Sequence, residues 1–265
     1  MIYLEKFFLP TENKRVYPFR ILYSKMIDVI SFSPITVFYG NNGSGKSTLL
    51  NVIAEKIAIQ HKTKGNYSLF FKEYVEKCAF ETATKNEKPL KIPLNSRVIR
   101  SEDIMEGIVN LRGETEKAIN NITHLHDLTE IDEEDGTEFN LFDENEMRSA
   151  MQRFNEIPDQ YSNGETAMLY FENIFMPDTL YLLDEPENSL SPRFQLALKQ
   201  IIEKCAYLLN CQFIIATHSP FLLSTDNAII YDLDRYYLGT CKWYELENVQ
   251  TYYDFFKENS RLFEK

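Results

Sequence analysis

The chain has 265 residues, 44% of them hydrophobic, with 19 Phe and 16 Tyr, enough for one large α/β domain or one domain with a sizeable insertion. No run approaches 18 apolar residues, and Met1–Lys6 carries an acid at Glu5 and no small-residue cleavage site, so the reading is a cytoplasmic protein with no membrane partner. Of the net charge of −12, ten acids between Asp127 and Glu146 contribute −10, so the remainder is nearly neutral and a general phosphate-tracking basic surface is not in view.

Taken in chain order, 2–9 and 20–27 read as strands joined by a polar turn around Thr11–Arg15. Ile35–Tyr39 is a short apolar, β-prone run that enters a Gly-rich loop, and Leu49–Ile59 has helical spacing. The segment 67–80 fits strand or helix equally. Arg97–Arg100 reads as a strand. Residues 104–128 look helical, interrupted at Gly113, and the acidic segment follows as a solvated loop. A short helix then runs up to Phe154. The second half reads more clearly: helix 165–175, buried strand 179–183, helix 193–209 behind Pro192, and buried strand 212–216. Strands at 229–233 and 242–245 follow, then an aromatic amphipathic helix over 252–263. Buried strands alternating with helices predict an α/β fold around a mostly parallel sheet.

Gly40-Asn41-Asn42-Gly43-Ser44-Gly45-Lys46-Ser47-Thr48 fits the pattern G-x-x-x-x-G-K-[ST], with a strand before it and a helix after it. Glycines there let successive backbone N–H groups turn inward around phosphate oxygens, and the helix beginning near Lys46 points its positive end at the same anion. Lys46 is expected to reach the β- and γ-phosphates, Ser47 to place its hydroxyl on Mg²⁺, and Thr48 to add an α-phosphate contact. A chance match to this pattern in a chain of this length is on the order of one in a hundred.

The apolar strand Leu180–Leu183 delivers Asp184 and Glu185 at its carboxyl end, the edge at which open α/β sheets bind ligands. Asp184 is expected to hold Mg²⁺, and Glu185 to polarise the attacking water. Thr217-His218-Ser219-Pro220 follows the next buried strand and brings a histidine to the same edge, to donate to the γ-phosphate or orient the water. His124 and His126 fall on different faces of a helix and do not read as metal ligands. The four cysteines, Cys78, Cys205, Cys211 and Cys241, show no CxxC spacing and read as reduced thiols.

The order of these motifs, with Tyr161-Ser162-Asn163-Gly164-Glu165 before Leu183-Asp184-Glu185-Pro186 and Glu187-Asn188-Ser189-Leu190-Ser191 after it, resembles the ABC ATPases over residues 1–60 and 155–235. The resemblance implies a P-loop NTPase fold of ABC type: a parallel core, an antiparallel N-terminal β part and a helical lid. It also implies one domain, with 1–100 and 156–265 as nucleotide-binding core and 101–155 as the lid with its acidic insertion. Ser162 and Gly164 would belong to a signature segment that caps the γ-phosphate on a second copy, making ATP the bond of a head-to-tail homodimer. Tyr-Ser-Asn-Gly-Glu, Glu-Asn-Ser-Leu-Ser and the Ser-Pro after His218 depart from the usual transporter motifs and look like the soluble RecF, SMC-head and OLD-type branch. Many free-standing members of that branch sit in DNA-maintenance or anti-phage settings, so a separate protein effector is expected. DNA is a partner that the charge does not support, and a transporter nucleotide-binding subunit is the alternative. No Q-loop glutamine is evident; Ser101, Glu102 or Asp103 would have to replace it. Tyr17 and Phe19 are the candidates for stacking on adenine.

Overall fold

The computed structural model describes residues 1–59, 68–104, 106–107, 109–110, 163–188, 190–237 and 239–264. Three strands form an antiparallel N-terminal sheet in the order β2–β1–β4, where β1 is Leu4–Phe8, β2 is Val29–Ser31 and β4 is Ala79–Thr82. The central sheet has six strands in the order β11–β10–β3–β9–β8–β7. Its members are β3 (Ile35–Tyr39), β7 (Arg97–Arg100), β8 (Leu180–Asp184), β9 (Gln212–Ala216), β10 (Ile229–Asp232) and the two-residue β11 (Thr240–Cys241). All neighbours in it run parallel except the β10–β11 pair. A two-stranded hairpin, β5 (Thr84–Lys85) and β6 (Lys88–Pro89), stands apart from both sheets.

β3 and β9 are buried along their whole length, the pattern of parallel strands covered on both faces. Alternation along each strand divides the core in two. Phe38, Leu182 and Ile214 face α2 (Lys46–Lys56), α3 (Leu69–Lys77) and the small sheet. Val37, Tyr181, Leu183, Phe213 and Ile215 face α4 (Asn163–Ile174) and α5 (Pro192–Leu208). Phe175, Tyr181 and Phe213 pack ring on ring in that second layer, with centroids 4.9–5.4 Å apart. Each such side chain contributes about 2–3 kcal/mol by leaving water.

The small sheet is fastened to the large one by the Tyr231 hydroxyl of β10, which accepts the Ser31 N–H of β2 (3.1 Å) and donates to the Ser31 carbonyl (2.8 Å), and by a buried amide. Gln212 is fully buried on β9; its Oε1 accepts the N–H groups of Tyr3 (2.8 Å) and Leu4 (2.9 Å), and its Nε2 donates to the carbonyls of Leu4 (2.8 Å) and Ser33 (3.2 Å).

Two expected strands take other forms. Residues 19–23 form a helix, α1 (Phe19–Tyr23), because Phe19 and Leu22, three apart, both bury while Arg20 and Tyr23 between and beyond them do not. Residues 243–245 form a 3₁₀ turn, closed by the Glu245 carboxylate accepting the Lys242 N–H at 3.1 Å. The ambiguous segment resolves into α3 followed by β4, with Ser68 capping the helix by accepting the Phe71 N–H. The tail forms α7 (Glu247–Glu258), behind the short α6 (Pro220–Leu223). Of the stretch expected to form a lid, residues 101–104 are helical; the acidic segment, His124 and His126 lie outside the described residues. Among the described residues no helix is long and apolar enough to cross a membrane.

Candidate functional site

The carboxyl ends of β3, β8 and β9 are adjacent in the sheet, so the segments that leave them meet. The loop leaving β3 turns into α2 at Gly45, whose φ of 103° lies in the left-handed region; a Cβ there would stand 2.7 Å from the Ile21 Cγ2 of α1. At Gly40 a Cβ would meet the Ser44 hydroxyl at 2.5 Å. The loop needs glycine at these positions for backbone shape and for close approach, and α1 is the element that closes over it. Ser44 Oγ is buried in the loop with no hydrogen-bond partner among the described residues, a polar atom that a phosphate oxygen would satisfy.

Lys46 is 4% exposed; its ammonium donates to the carbonyls of Gly40 (2.6 Å) and Asn41 (3.4 Å) and lies 3.5 Å from Glu185 Oε1. Ser47 donates its hydroxyl to Asp184 Oδ1 at 2.9 Å, joining the start of α2 to the end of β8. Burial raises the Asp184 carboxyl to about 6, against the hydrogen bond from Ser47, and the neighbouring Glu185 charge pushes the same way as burial. Burial pushes Glu185 up as well, but the hydrogen bond from Asn188 and the charges of Lys46 and His218 outweigh it and hold this carboxyl below its ordinary value. The two adjacent acids therefore differ: Glu185 is ionised at neutral pH with a margin, and Asp184 is ionised at a cost. Glu185 has a φ of 49°, uncommon for a residue with a side chain, and its N–H donates to the Ala216 carbonyl at 2.9 Å. That twist turns its carboxylate out of the strand direction, toward Lys46 and His218.

His218 leaves β9 with Nδ1 4.0 Å from Glu185 Oε1 and 3.6 Å from Glu187 Oε1, and its side chain is half exposed. Asn42, Gly43, Gly45, Lys46, Ser47, Thr48, Ile21 and Glu185 line a cleft of about 260 Å³. The structure thus brings together the loop 40–48, Asp184, Glu185 and His218. Ser162 lies outside the described residues, and Gly164 falls in the first turn of α4.

Of the two aromatic candidates for adenine, Phe19 is fully buried against Tyr74 and beneath the Lys14 ammonium, so it is a core residue. Tyr17 is 43% exposed and stacks on Phe71 at 6.1 Å. Among the three Q-loop candidates, the Asp103 carboxylate accepts the Arg100 N–H at 2.9 Å and the Ser101 hydroxyl donates to Glu102 at 3.4 Å.

Two residues enter the site that sequence reasoning did not place there. Asp234, just beyond β10, accepts the Asn41 N–H with both carboxylate oxygens (2.9 and 3.1 Å) and braces the entry of the glycine loop. Glu187 ties the segment after β8 to the turn after β9. Asp234 has no local signature; Glu187 opens the Glu-Asn-Ser-Leu-Ser segment, but its contacts become visible only when its partner across the sheet is known.

No curated protein sequence is similar to the chain. Solved structures similar to it include the SMC head domain from Thermotoga maritima, at 14% identity and a TM-score of 0.44 over 91% of this chain and 99% of that one. CbiO1 from Clostridium perfringens, part of the ABC transporter complex cbiONQ, matches at 15% identity and a TM-score of 0.44, covering 94% and 93%. An Smc head domain with an extended coiled coil bound to the C-terminal domain of ScpA, derived from Pyrococcus furiosus, matches at 14% and 0.45, covering 96% and 100%. Residues 153–224 match the family described as "AAA domain, putative AbiEii toxin, Type IV TA system". Residues 30–188, more than half of the chain, match the family described as "ABC transporter". A match of that length, over a sheet edge with this geometry, means that the chain belongs to the ABC family and is an ATP-binding, ATP-hydrolysing domain of it.

Proposed function

We propose that the chain is an ATP-driven switch. It closes with a second copy of itself on ATP, opens on hydrolysis, and transmits that cycle to a separate effector protein. The observation that carries the hydrolytic half is the contact of the glycine-loop helix with the strand-end acids: Ser47 to Asp184 at 2.9 Å, and Lys46 to Glu185 at 3.5 Å. Backbone N–H groups of Gly43 and Gly45–Thr48 and the Lys46 ammonium hold the phosphates, in the loop that Asn41 opens and Asp234 braces. The Ser47 hydroxyl and the Asp184 carboxylate are hard oxygen donors suited to Mg²⁺, which typically takes one or two carboxylates together with substrate phosphates. That ion, when bound, neutralises charge on the β- and γ-phosphate oxygens. Burial of an ionised Asp184 then has a compensating cation.

Lys46 lies within reach of both Glu185 and the loop carbonyls. A γ-phosphate entering the cleft competes for the ammonium and releases the Glu185 carboxylate to accept a hydrogen bond from water. That water forms the bond to the γ-phosphorus, the bond to the β–γ bridging oxygen breaks, ADP leaves with the electron pair, and the water proton passes toward Glu185. His218 sits beside Glu185 and orients the water or contacts the γ-phosphate. Ser162 and the N-terminal turn of α4 at Gly164 contribute to the second copy's site.

The effector reading draws on the match of residues 153–224 to a family whose printed name is that of a toxin in a toxin–antitoxin system. A role in DNA maintenance or anti-phage defence is the setting we propose, in the cytoplasm. The second reading, a nucleotide-binding subunit of a transporter, has the name of the longer family match in its favour; it requires a membrane permease that raises the ATPase rate. The first test is turnover and binding with Mg·ATP. Lys46→Ala should lose nucleotide binding, and Glu185→Gln should bind ATP but hydrolyse it about 10²–10⁴-fold more slowly. Undiminished ATPase activity in Lys46→Ala sinks the site.

A further inference from the structure

Glu187 is 4% exposed and holds three donors on one oxygen. Its Oε1 accepts the Thr217 hydroxyl, the His218 N–H at 3.0 Å and the Ser219 N–H at 3.2 Å. The same oxygen is 3.6 Å from His218 Nδ1, and Oε2 is buried with no hydrogen-bond partner among the described residues. The backbone of Glu187 belongs to the tight turn that begins at Glu185: the Asn188 N–H donates to the Glu185 carbonyl at 3.2 Å, and the Leu190 N–H to the Glu187 carbonyl at 2.8 Å. One side chain therefore fastens the turn that carries Glu185 to the turn that carries His218.

The imidazole lies between two acids, Glu185 and Glu187, both on its Nδ1 side.

We infer that Glu187 is a positioning residue for hydrolysis: it fixes the backbone and ring of His218 relative to Glu185, so that the two act on one water or one γ-phosphate. This rests on the ATPase reading of the site and deepens it. The chemistry of the step is unchanged; only its geometry depends on Glu187.

The test is steady-state ATP hydrolysis by the full chain and by Glu187→Ala, Glu187→Gln, His218→Ala and the Glu187→Ala/His218→Ala double variant, with a thermal melt of each. A misplacement of about 1 Å is worth roughly 10- to 100-fold in rate, so Glu187→Ala should lower kcat by that factor with KM for ATP unchanged within about threefold. Glu187→Gln keeps an acceptor oxygen at the same reach and should recover most of the loss. The double variant should be no slower than His218→Ala, since a positioning residue has nothing left to position. Should the alanine variant fail to fold, Glu187→Asp, whose shorter arm cannot reach the 217–219 turn, should show a loss on the order of tenfold in kcat. Wild-type kcat in Glu187→Ala, or in Glu187→Asp where the alanine variant does not fold, overturns the inference, and so does full additivity with His218→Ala. A His218→Ala variant as fast as wild type would instead overturn the role of His218 in the ATPase reading, and this inference with it.

Discussion

Asp184 ends β8 half-buried beside apolar strands, and its carboxyl is raised from 3.8 to about 6 by that burial. The sign of the consequence is fixed by linkage: the folded chain holds this proton more tightly than the unfolded chain, so ionising it costs stability. The cost is fully present above about pH 6 and disappears as the pH falls from there toward 3.8. Asp184→Asn should therefore melt higher than wild type at pH 8, by about 2–4 °C for each kcal/mol removed, while losing ATPase activity. The gap should close by pH 4; an equal gap at both pH values would show that charge burial is not its source. Asp234 acts at the other end of the glycine loop, where both its oxygens take the Asn41 N–H. Asp234→Ala should loosen the loop entry and raise KM for ATP by about tenfold, the value of one charge-assisted hydrogen bond, with little change in kcat. A fall in kcat at constant KM would place Asp234 in the chemical step instead.

Among the elements, the joint between the two sheets rests in part on Gln212, which spends all four of its hydrogen-bonding valences on Tyr3, Leu4 and Ser33. Gln212→Leu keeps the volume and removes every partner, leaving two N–H groups and two carbonyls unpaired at about 1 kcal/mol or more each, so a loss on the order of 4 kcal/mol is expected in urea unfolding. A loss under about 1 kcal/mol would mean that water enters and replaces the amide. The residue also marks the limit of what was legible. Strands β3, β8 and β9 could be read directly, because a strand covered on both faces must be apolar throughout. The glycine loop and the acids at 184–185 could be read because their chemistry is local: consecutive residues make the site. Phe19–Tyr23 could not, since five mixed residues carry too little periodicity to separate strand from helix, and packing of Phe19 and Leu22 decided it. Gln212 and Asp234 escaped for a related reason. Each is an ordinary polar residue in its own stretch, and acquires a role only from partners across the sheet that sequence spacing does not reveal.

For the whole molecule, the consequence of one-edge geometry is that, among the described residues, the walls of the site come from the sheet edge and from α1. The cleft is formed by the glycine loop, Ile21 and Glu185, all from the carboxyl ends of strands or from α1. The helix α4, which opens at Asn163, begins a different segment and packs against α5 in the second layer of the core. If its N-terminal turn at Gly164 caps a γ-phosphate, as we propose, the phosphate belongs to a second copy, and two such contacts related by a twofold axis close the dimer. ATP is then a shared ligand, and stability of the dimer must follow the lifetime of ATP. Glu185→Gln, which retains Lys46 and Ser47 but loses the acceptor for the water proton, should accumulate the closed state. In analytical ultracentrifugation it should sediment as a monomer with ADP and at twice the monomer mass with Mg·ATP. Adding Ser162→Arg should return it to the monomer without preventing ATP binding, because the arginine would act on the opposite subunit's nucleotide. A Glu185→Gln chain that binds ATP yet stays monomeric at high concentration would contradict the shared-ligand dimer. The hydrolytic assignments would stand in that case, because they rest on contacts within one copy.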